Sequence, residues 1–194
     1  MAKLLFIGHG SFKLTTDNGT VIYIDPFFDG DYSAEADLVL ITHEHFDHNK
    51  TELVSLKSDG AIFRADDFIS GSKYLSLAFK GVKITAVPAY NKNHKTGCVG
   101  YVVGADRLNL YFAGDTSKTD HMSTMKDIDY AFLPTDGIYN MDAAEATECA
   151  NIIGAKHSVP VHTAPPEGEY NEAVAALFTP KSRLIIKQGS EISL

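Results

Sequence analysis

Thr42-His43-Glu44-His45-Phe46-Asp47-His48 is the stretch that decides how the chain reads. It sets four candidate metal ligands side by side, directly after Leu38–Ile41, an apolar and partly β-branched run with the character of a buried strand. Imidazole and carboxylate are donors suited to zinc, iron, manganese or nickel. His43 and His45, two apart on an extended turn, can converge on one ion. Asp47 and His48 are adjacent and cannot both point where that pair points, so a second ion is their natural recipient.

Working outward, the flanks read as strands and hairpins. Leu4–Gly8, Phe12–Thr15 and Val21–Ile24 are β-type runs, and Asn18-Gly19 between the last two is a hairpin signal because both residues tolerate positive φ. Asn49–Leu56 has helical character, with Asp59-Gly60 as a stop. Further strands are expected at Ala61–Arg64, Val82–Val87, Gly100–Val103, Leu108–Phe112, Tyr130–Leu133, His157–Val161 and Arg183–Lys187. Asp142-Ala-Ala-Glu145 resembles a capping box and opens a helix over Ala144–Ile153 that stops at Gly154. A second helix is expected at Asn171–Phe178, and Thr163–Tyr170, with its paired prolines, as a mobile loop. Hairpins followed by strand–helix alternation predict a layered α/β (α+β) domain spanning 1–194.

With these motifs in hand, the chain resembles the metallo-β-lactamase superfamily, whose signature is His-x-His-x-Asp-His. The resemblance covers nearly the whole chain. Ile24-Asp25-Pro26 looks like the family's Asp-Pro turn, Ala113-Gly114-Asp115-Thr116 like its strand-end aspartate, and Pro160-Val161-His162 like its final ligand histidine. Gly8-His9-Gly10-Ser11-Phe12 and Val87-Pro88-Ala89-Tyr90-Asn91 are most similar to a small single-domain branch of metal-dependent hydrolases, distantly related to ascorbate-6-phosphate lactonase and the N-acylphosphatidylethanolamine phospholipase D enzymes.

The resemblance implies a four-layer αββα sandwich with ligands on loops at one edge. It implies two divalent ions, zinc before manganese, iron or nickel. His43 and His45 would hold the first; Asp47, His48 and His162 the second; Asp115 would bridge them. A metal-bound hydroxide would then cleave an ester, lactone, amide or phosphodiester bond of a small substrate. One position departs from the pattern: where a third histidine normally completes the first site, Asn91 stands, a poor ligand, and His94 is the substitute, with a water or an exposed histidine as the alternatives.

Several residues keep two readings. Asp115 is also good N-cap chemistry, His162 could be an exposed loop histidine, and Asp25 is either a partner holding a histidine's distal N–H or a turn residue before Pro26. His9 lines the pocket or is structural. Tyr139 donates to an oxyanion or packs in its loop, and Asp136 departs from the family pattern. Lys92 and Lys95 flank His94 and could meet an anionic substrate, or be solvated. His121 and His157 are read as structural, and Cys98 and Cys149 as small core residues.

Bulk properties narrow the function classes. The net charge of −8 argues against a nucleic-acid partner, which needs a basic surface. Two distant cysteines exclude a disulfide framework. The apolar run at the N-terminus is too brief for a leader or a membrane span, so a cytoplasmic protein is expected. Substrate choice is expected to lie in loops, chiefly Asp66–Phe79 and Thr163–Tyr170. The competing reading is a non-catalytic metal-binding or metabolite-sensing module on the same fold.

Overall fold

Side-chain alternation divides each N-terminal strand between two cores in the computed structural model, which describes residues 1–194. The strands are β1 (Lys3–Gly8), β2 (Ser11–Thr15), β3 (Val21–Ile24), β4 (Ala36–Leu40), β5 (Leu56–Phe63), β6 (Ile69–Ser70) and β7 (Lys73–Tyr74). They continue as β8 (Ser76–Phe79), β9 (Val82–Pro88), β10 (Val99–Ala105), β11 (Leu108–Phe112), β12 (Tyr130–Pro134), β13 (His157–Val161) and β14 (Ser190–Ser193). Two six-stranded sheets form, in the orders β14-β1-β2-β3-β4-β5 and β13-β12-β11-β10-β9-β8.

Leu4, Phe6, Phe12, Leu14, Ile22, Ile24, Leu38 and Leu40 face the second sheet and join Ile84, Tyr101, Phe112 and Phe132 in the central core. Phe12 sits at the hub, its ring centroid 5.1 Å from Phe112 and 4.8 Å from Phe132. The intervening residues Leu5, Ile7, Tyr23, Val39 and Ile41 face outward, under partly buried Phe28, Tyr32 and Val54. Both faces of β4 are therefore covered, which explains the apolar run Leu38–Ile41.

Helix α1 (Ala143–Ile153) covers the outer face of the second sheet through Ala146, Cys149 and Ala150, and α2 (Glu172–Leu177) packs beside it. The two-sheet core and outer helices place the protein in the αββα sandwich class, with loop segments covering the outer face of the first sheet. The Asp142 carboxylate accepts the Glu145 N–H at 2.8 Å, and Gly154 closes α1 in the left-handed region with φ +67°. Only half of the expected capping box forms, because the Glu145 carboxylate accepts the Lys118 N–H instead of reaching back.

Four expectations change. Asn49–Leu56 is not a helix: a 3-10 turn at Thr51–Leu53 gives way to β5 at Leu56. Asn49 donates to Glu44 instead of capping, and so short a helix lacks the internal bonds to compete with parallel pairing to β4. Gly60, read as a stop, lies within β5, where an added Cβ would come within 2.8 Å of the Ala36 carbonyl at the bulge between Ala36 and Leu38. Arg183–Lys187 makes a single bridge through Arg183 to Ser158, and the terminal strand is β14, paired antiparallel to β1. The segment Asp66–Phe79 is not a loop; after a 3-10 turn at Ala65–Phe68 it carries β6, β7 and β8. No helix is long and apolar enough to cross a membrane.

β3, β4 and β5 run parallel, as do β11, β12 and β13. Their carboxyl ends therefore gather Asp25, the 42–48 segment, Asp115, Asp136 and His162 at one edge of the sandwich. Parallel strands place their following loops together in this way, which is why such edges carry ligand sites.

Candidate metal centre

Thr42 anchors the signature segment. Its N–H and hydroxyl donate to the Asp25 carboxylate at 2.7 and 2.6 Å. Having given its only hydroxyl proton to Asp25, Thr42 Oγ1 accepts from His43 Nδ1 at 3.0 Å, so the His43 Nε2 lone pair is free. The backbone allows this only because Gly114, at φ +61°, presses against Thr42, where a Cβ would sit 2.9 Å from the Thr42 Cβ.

The same logic orients the other imidazoles. Asp25 accepts His48 Nδ1–H at 2.8 Å, leaving Nε2 of His48 unpaired. His162 Nδ1 lies 3.0 Å from Asp136 Oδ2, off the line of a good hydrogen bond. Asp136 is itself held by the N–H groups of Ile138 and Tyr139, both at 2.6 Å, and by Asn140. A carboxylate behind a histidine fixes ring orientation and raises its basicity towards a metal. Asp136 in this position was not anticipated; the available signal was its place at the end of β12, matching Asp115 at the end of β11.

The inward atoms converge. Nε2 of His43, His48 and His162 and Oδ1 of Asp115 are all buried without a hydrogen-bond partner. Asp115 Oδ1 stands 3.3 Å from His48 Nε2 and 3.4 Å from His162 Nε2, while its Oδ2 is 4.0 Å from His43 Nε2. Asp47 Oδ2 lies 3.8 and 3.9 Å from the Nε2 atoms of His48 and His162. Donors bound at about 2.0–2.2 Å to one tetrahedral ion sit a little over 3 Å apart, so this set fits divalent cations and explains four otherwise orphaned atoms.

His9 Nε2 approaches Asp47 Oδ2 at 3.2 Å, and its ring centroid is 3.7 Å from that of His162. His9, Asp47, His48 and His162 form one compact donor group, and His43, His48 and Asp115 another. His9 (φ 54°), Asp25 (φ 44°) and His162 (φ 47°) all occupy the left-handed region, a strain that clusters at functional sites.

On the other flank, His94 is buried with its ring 4.6 Å from His43 and 4.1 Å from His45, while His45 is exposed at the rim. Asn91 turns to other work: its amide donates to Asn140 and its carbonyl accepts the N–H groups of Asn93 and His94. Cys98, expected only as a core residue, also lies within 4.8 Å of donor atoms of His43 and His94. Burial pushes its thiol pKa well up, and its Sγ donates to the Asp115 carbonyl. Tyr139 is exposed and lines the cleft above the cluster, while Lys92 and Lys95 are solvent-exposed and outside its lining. His157 is exposed and stacks on Tyr130, and His121 lies in a 3-10 turn; both are away from the cluster.

Electrostatics suit a cation. Burial, reinforced by His48, lowers the His43 pKa to about 2, which keeps it neutral, as a metal ligand must be. Burial opposes ionisation of Asp115, yet His48, His162 and His43 outweigh it and hold the carboxyl well below its usual range. A larger concavity of about 580 Å³ opens elsewhere, against Phe28, Tyr170, Arg183 and Ile185, and contains none of the clustered histidines.

Comparison with known proteins identifies the family of the chain. Residues 3–162 match the beta-lactamase superfamily domain. The UPF0173 metal-dependent hydrolase of Thermococcus kodakarensis is 31% identical over an alignment of 227 residues covering all of both chains. A related UPF0173 metal-dependent hydrolase from Thermococcus onnurineus is 32% identical over 99% of each chain. Among solved structures, a Parabacteroides distasonis protein superposes with a TM-score of 0.77 at 30% identity, covering 95% of this chain and 91% of that one. Igni18, a metallo hydrolase from Ignicoccus hospitalis, shares the fold at a TM-score of 0.76 and 23% identity, over 98% and 97% of the chains. The chain belongs to the metallo-β-lactamase superfamily and is a metal-dependent hydrolase.

Proposed function

We propose that this hydrolase works with two divalent ions, zinc foremost, and cleaves an ester, lactone, amide or phosphodiester bond in a small-molecule substrate. The observation that carries the reading is the convergence of three unpaired Nε2 atoms on Asp115, with His43 held from behind by Thr42, His48 by Asp25, and the Asp136 carboxylate 3.0 Å behind His162. His43, His45 and His94 would hold one ion, and Asp47, His48 and His162 the other. Asp115, whose two oxygens face different histidines, would join them. His94 takes the third position because Asn91 is already hydrogen-bonded on both sides of its amide.

The ions would supply Lewis acidity, which lowers the pKa of water from 15.7 towards roughly 7. The chain's own residues do the rest. Asp47, steadied by His9, and Asp115 orient the attacking water by accepting its hydrogens. Tyr139, at the cleft wall, donates to the oxygen that gains charge as the bond breaks. Hydrolysis adds water across the bond: its oxygen joins the carbonyl or phosphorus centre, and the departing oxygen or nitrogen takes up the proton. The net charge of −8 supports a small molecule over a nucleic acid as substrate.

Metal analysis of protein purified without chelator, paired with turnover on one chromogenic substrate of each bond class, tests this. Close to two ions per chain, with turnover lost on chelation and restored by zinc, is expected. One ion or fewer, or inertness towards all four bond classes, would overturn it in favour of a binding module.

A further inference from the structure

The cleft over the cluster, about 340 Å³, has a floor of ligand-type side chains and walls of a different character. Phe46, Tyr139 and Pro166 line it together with Asn93 and Glu167, and no lysine or arginine does. Phe46 is 58% exposed and Tyr139 42% exposed, and Ile138, next to Tyr139 in the chain, is exposed as well. Large apolar side chains grouped at the mouth of a polar site mark a binding surface. Both wall residues are held in place. The Phe46 ring meets Phe27 edge-on at 5.8 Å, and Phe27 is capped by Lys50 Nζ at 4.4 Å. The Tyr139 N–H donates to Asp136, the carboxylate that backs His162.

Charge points the same way. Asp25, Asp47, Asp115 and Asp136 surround the cluster and would offset the charge of two divalent ions, and Glu167 then adds a negative charge at the mouth. Lys50, the cation nearest the signature in sequence, is seated over the Phe27 ring, and Arg64 is paired with Glu44 at 2.8 Å. Sites built for phosphate present arginine or lysine to it. We propose that this cleft selects uncharged substrates with an apolar flank, with Phe46 and Tyr139 as the binding wall and Glu167 as the residue that turns anionic substrates away. The inference rests on the hydrolase reading for its chemistry; of the four bond classes it favours neutral esters, lactones and amides over phosphodiesters.

The test uses matched pairs on the zinc-loaded protein, so that bond and leaving group stay constant. For turnover, 4-nitrophenyl hexanoate is compared with its anionic counterpart, mono-4-nitrophenyl adipate, whose carboxylate lies too far along the chain to expel the leaving group efficiently. For binding, 1-butoxy-4-nitrobenzene and 4-(4-nitrophenoxy)butanoate, ethers with no ester to cleave, are titrated calorimetrically. The neutral member of each pair is expected to win by about tenfold, the effect of one like charge a few ångströms away at partial screening. Glu167→Lys should invert that ratio, Glu167→Gln should remove most of it, and added salt should shrink it. Phe46→Ala and Tyr139→Ala should each weaken the neutral ether about fivefold through lost apolar contact. Equal or better binding of the anionic ether in the parent, or ratios unmoved by both Glu167 variants, would overturn the proposal. Ether selectivity without ester turnover would uphold the cleft assignment and sink the hydrolytic reading instead.

Discussion

Asp25 accepts the Nδ1 proton of His48 at 2.8 Å, and with the same carboxylate it holds both polar groups of Thr42. One buried aspartate thus sets the orientation of His48 directly and of His43 through Thr42. The two imidazoles point their remaining nitrogens inward because their outer nitrogens are already bound.

Asp25→Asn should therefore disturb both halves of the centre. An amide can still accept one hydrogen bond but supplies no charge to the imidazole behind a metal. Zinc affinity, measured by competition with a chromophoric chelator, is expected to fall about 10- to 100-fold. Asp136→Asn should weaken only the half that contains His162, so one of two titration steps should shift. Equal loss of both steps in Asp136→Asn would contradict the division of ligands.

His94→Ala, Asn91→Ala and Cys98→Ala separate the claims on the first ion. Metal content should drop from two towards one in His94→Ala and remain at two in Cys98→Ala, whose thiol is buried, protonated and hydrogen-bonded to the Asp115 carbonyl. Asn91→Ala should act indirectly, by loosening the turn that carries His94. Loss of an ion in Cys98→Ala with retention in His94→Ala would reassign that ligand.

Gly114→Ala should be costly far beyond its one methyl group. The residue sits at φ +61°, and a Cβ there would meet the Thr42 side chain at 2.9 Å. A destabilisation of roughly 1–3 kcal/mol in urea unfolding is expected from the left-handed backbone and the contact together. Turnover should fall as well, because Asp115 follows directly and Thr42 holds His43.

Asp37 gives the fold a measurable pH dependence away from the metal centre. Burial works against its ionisation, but Lys57 at 2.7 Å, Lys80 at 2.8 Å and the Val21 N–H outweigh it and bring its pKa to about 2. The unfolded chain binds this proton first as pH falls, so the contribution is complete above roughly pH 4 and disappears as pH drops through 2. Metal-free parent should exceed Asp37→Asn by on the order of 2 kcal/mol at pH 7 in urea unfolding, and the gap should close in acid. A gap constant from pH 7 to pH 2 would show that the ion pairs contribute nothing.

By itself the sequence determined the local features. The β-type runs of β1 to β3, the buried character of Leu38–Ile41, the turn at Asn18-Gly19 and the cap of α1 all rest on neighbouring residues, and all are present in the structure. The signature segment was legible because its donors are packed into a few consecutive positions. Only the tertiary structure decided what depends on distant strands. Asn49–Leu56 lost its helix to pairing of β5 with β4, and Gly60 became part of a strand through contact with Ala36. Asp136 gained its place behind His162 because β12 and β13 run parallel and end together. His94 reached His43, 51 positions away in sequence, because a turn shaped by the Asn91 side chain carries it there. Residues far apart along the chain meet only through the register and crossing of strands, a long-range property that local pattern does not encode.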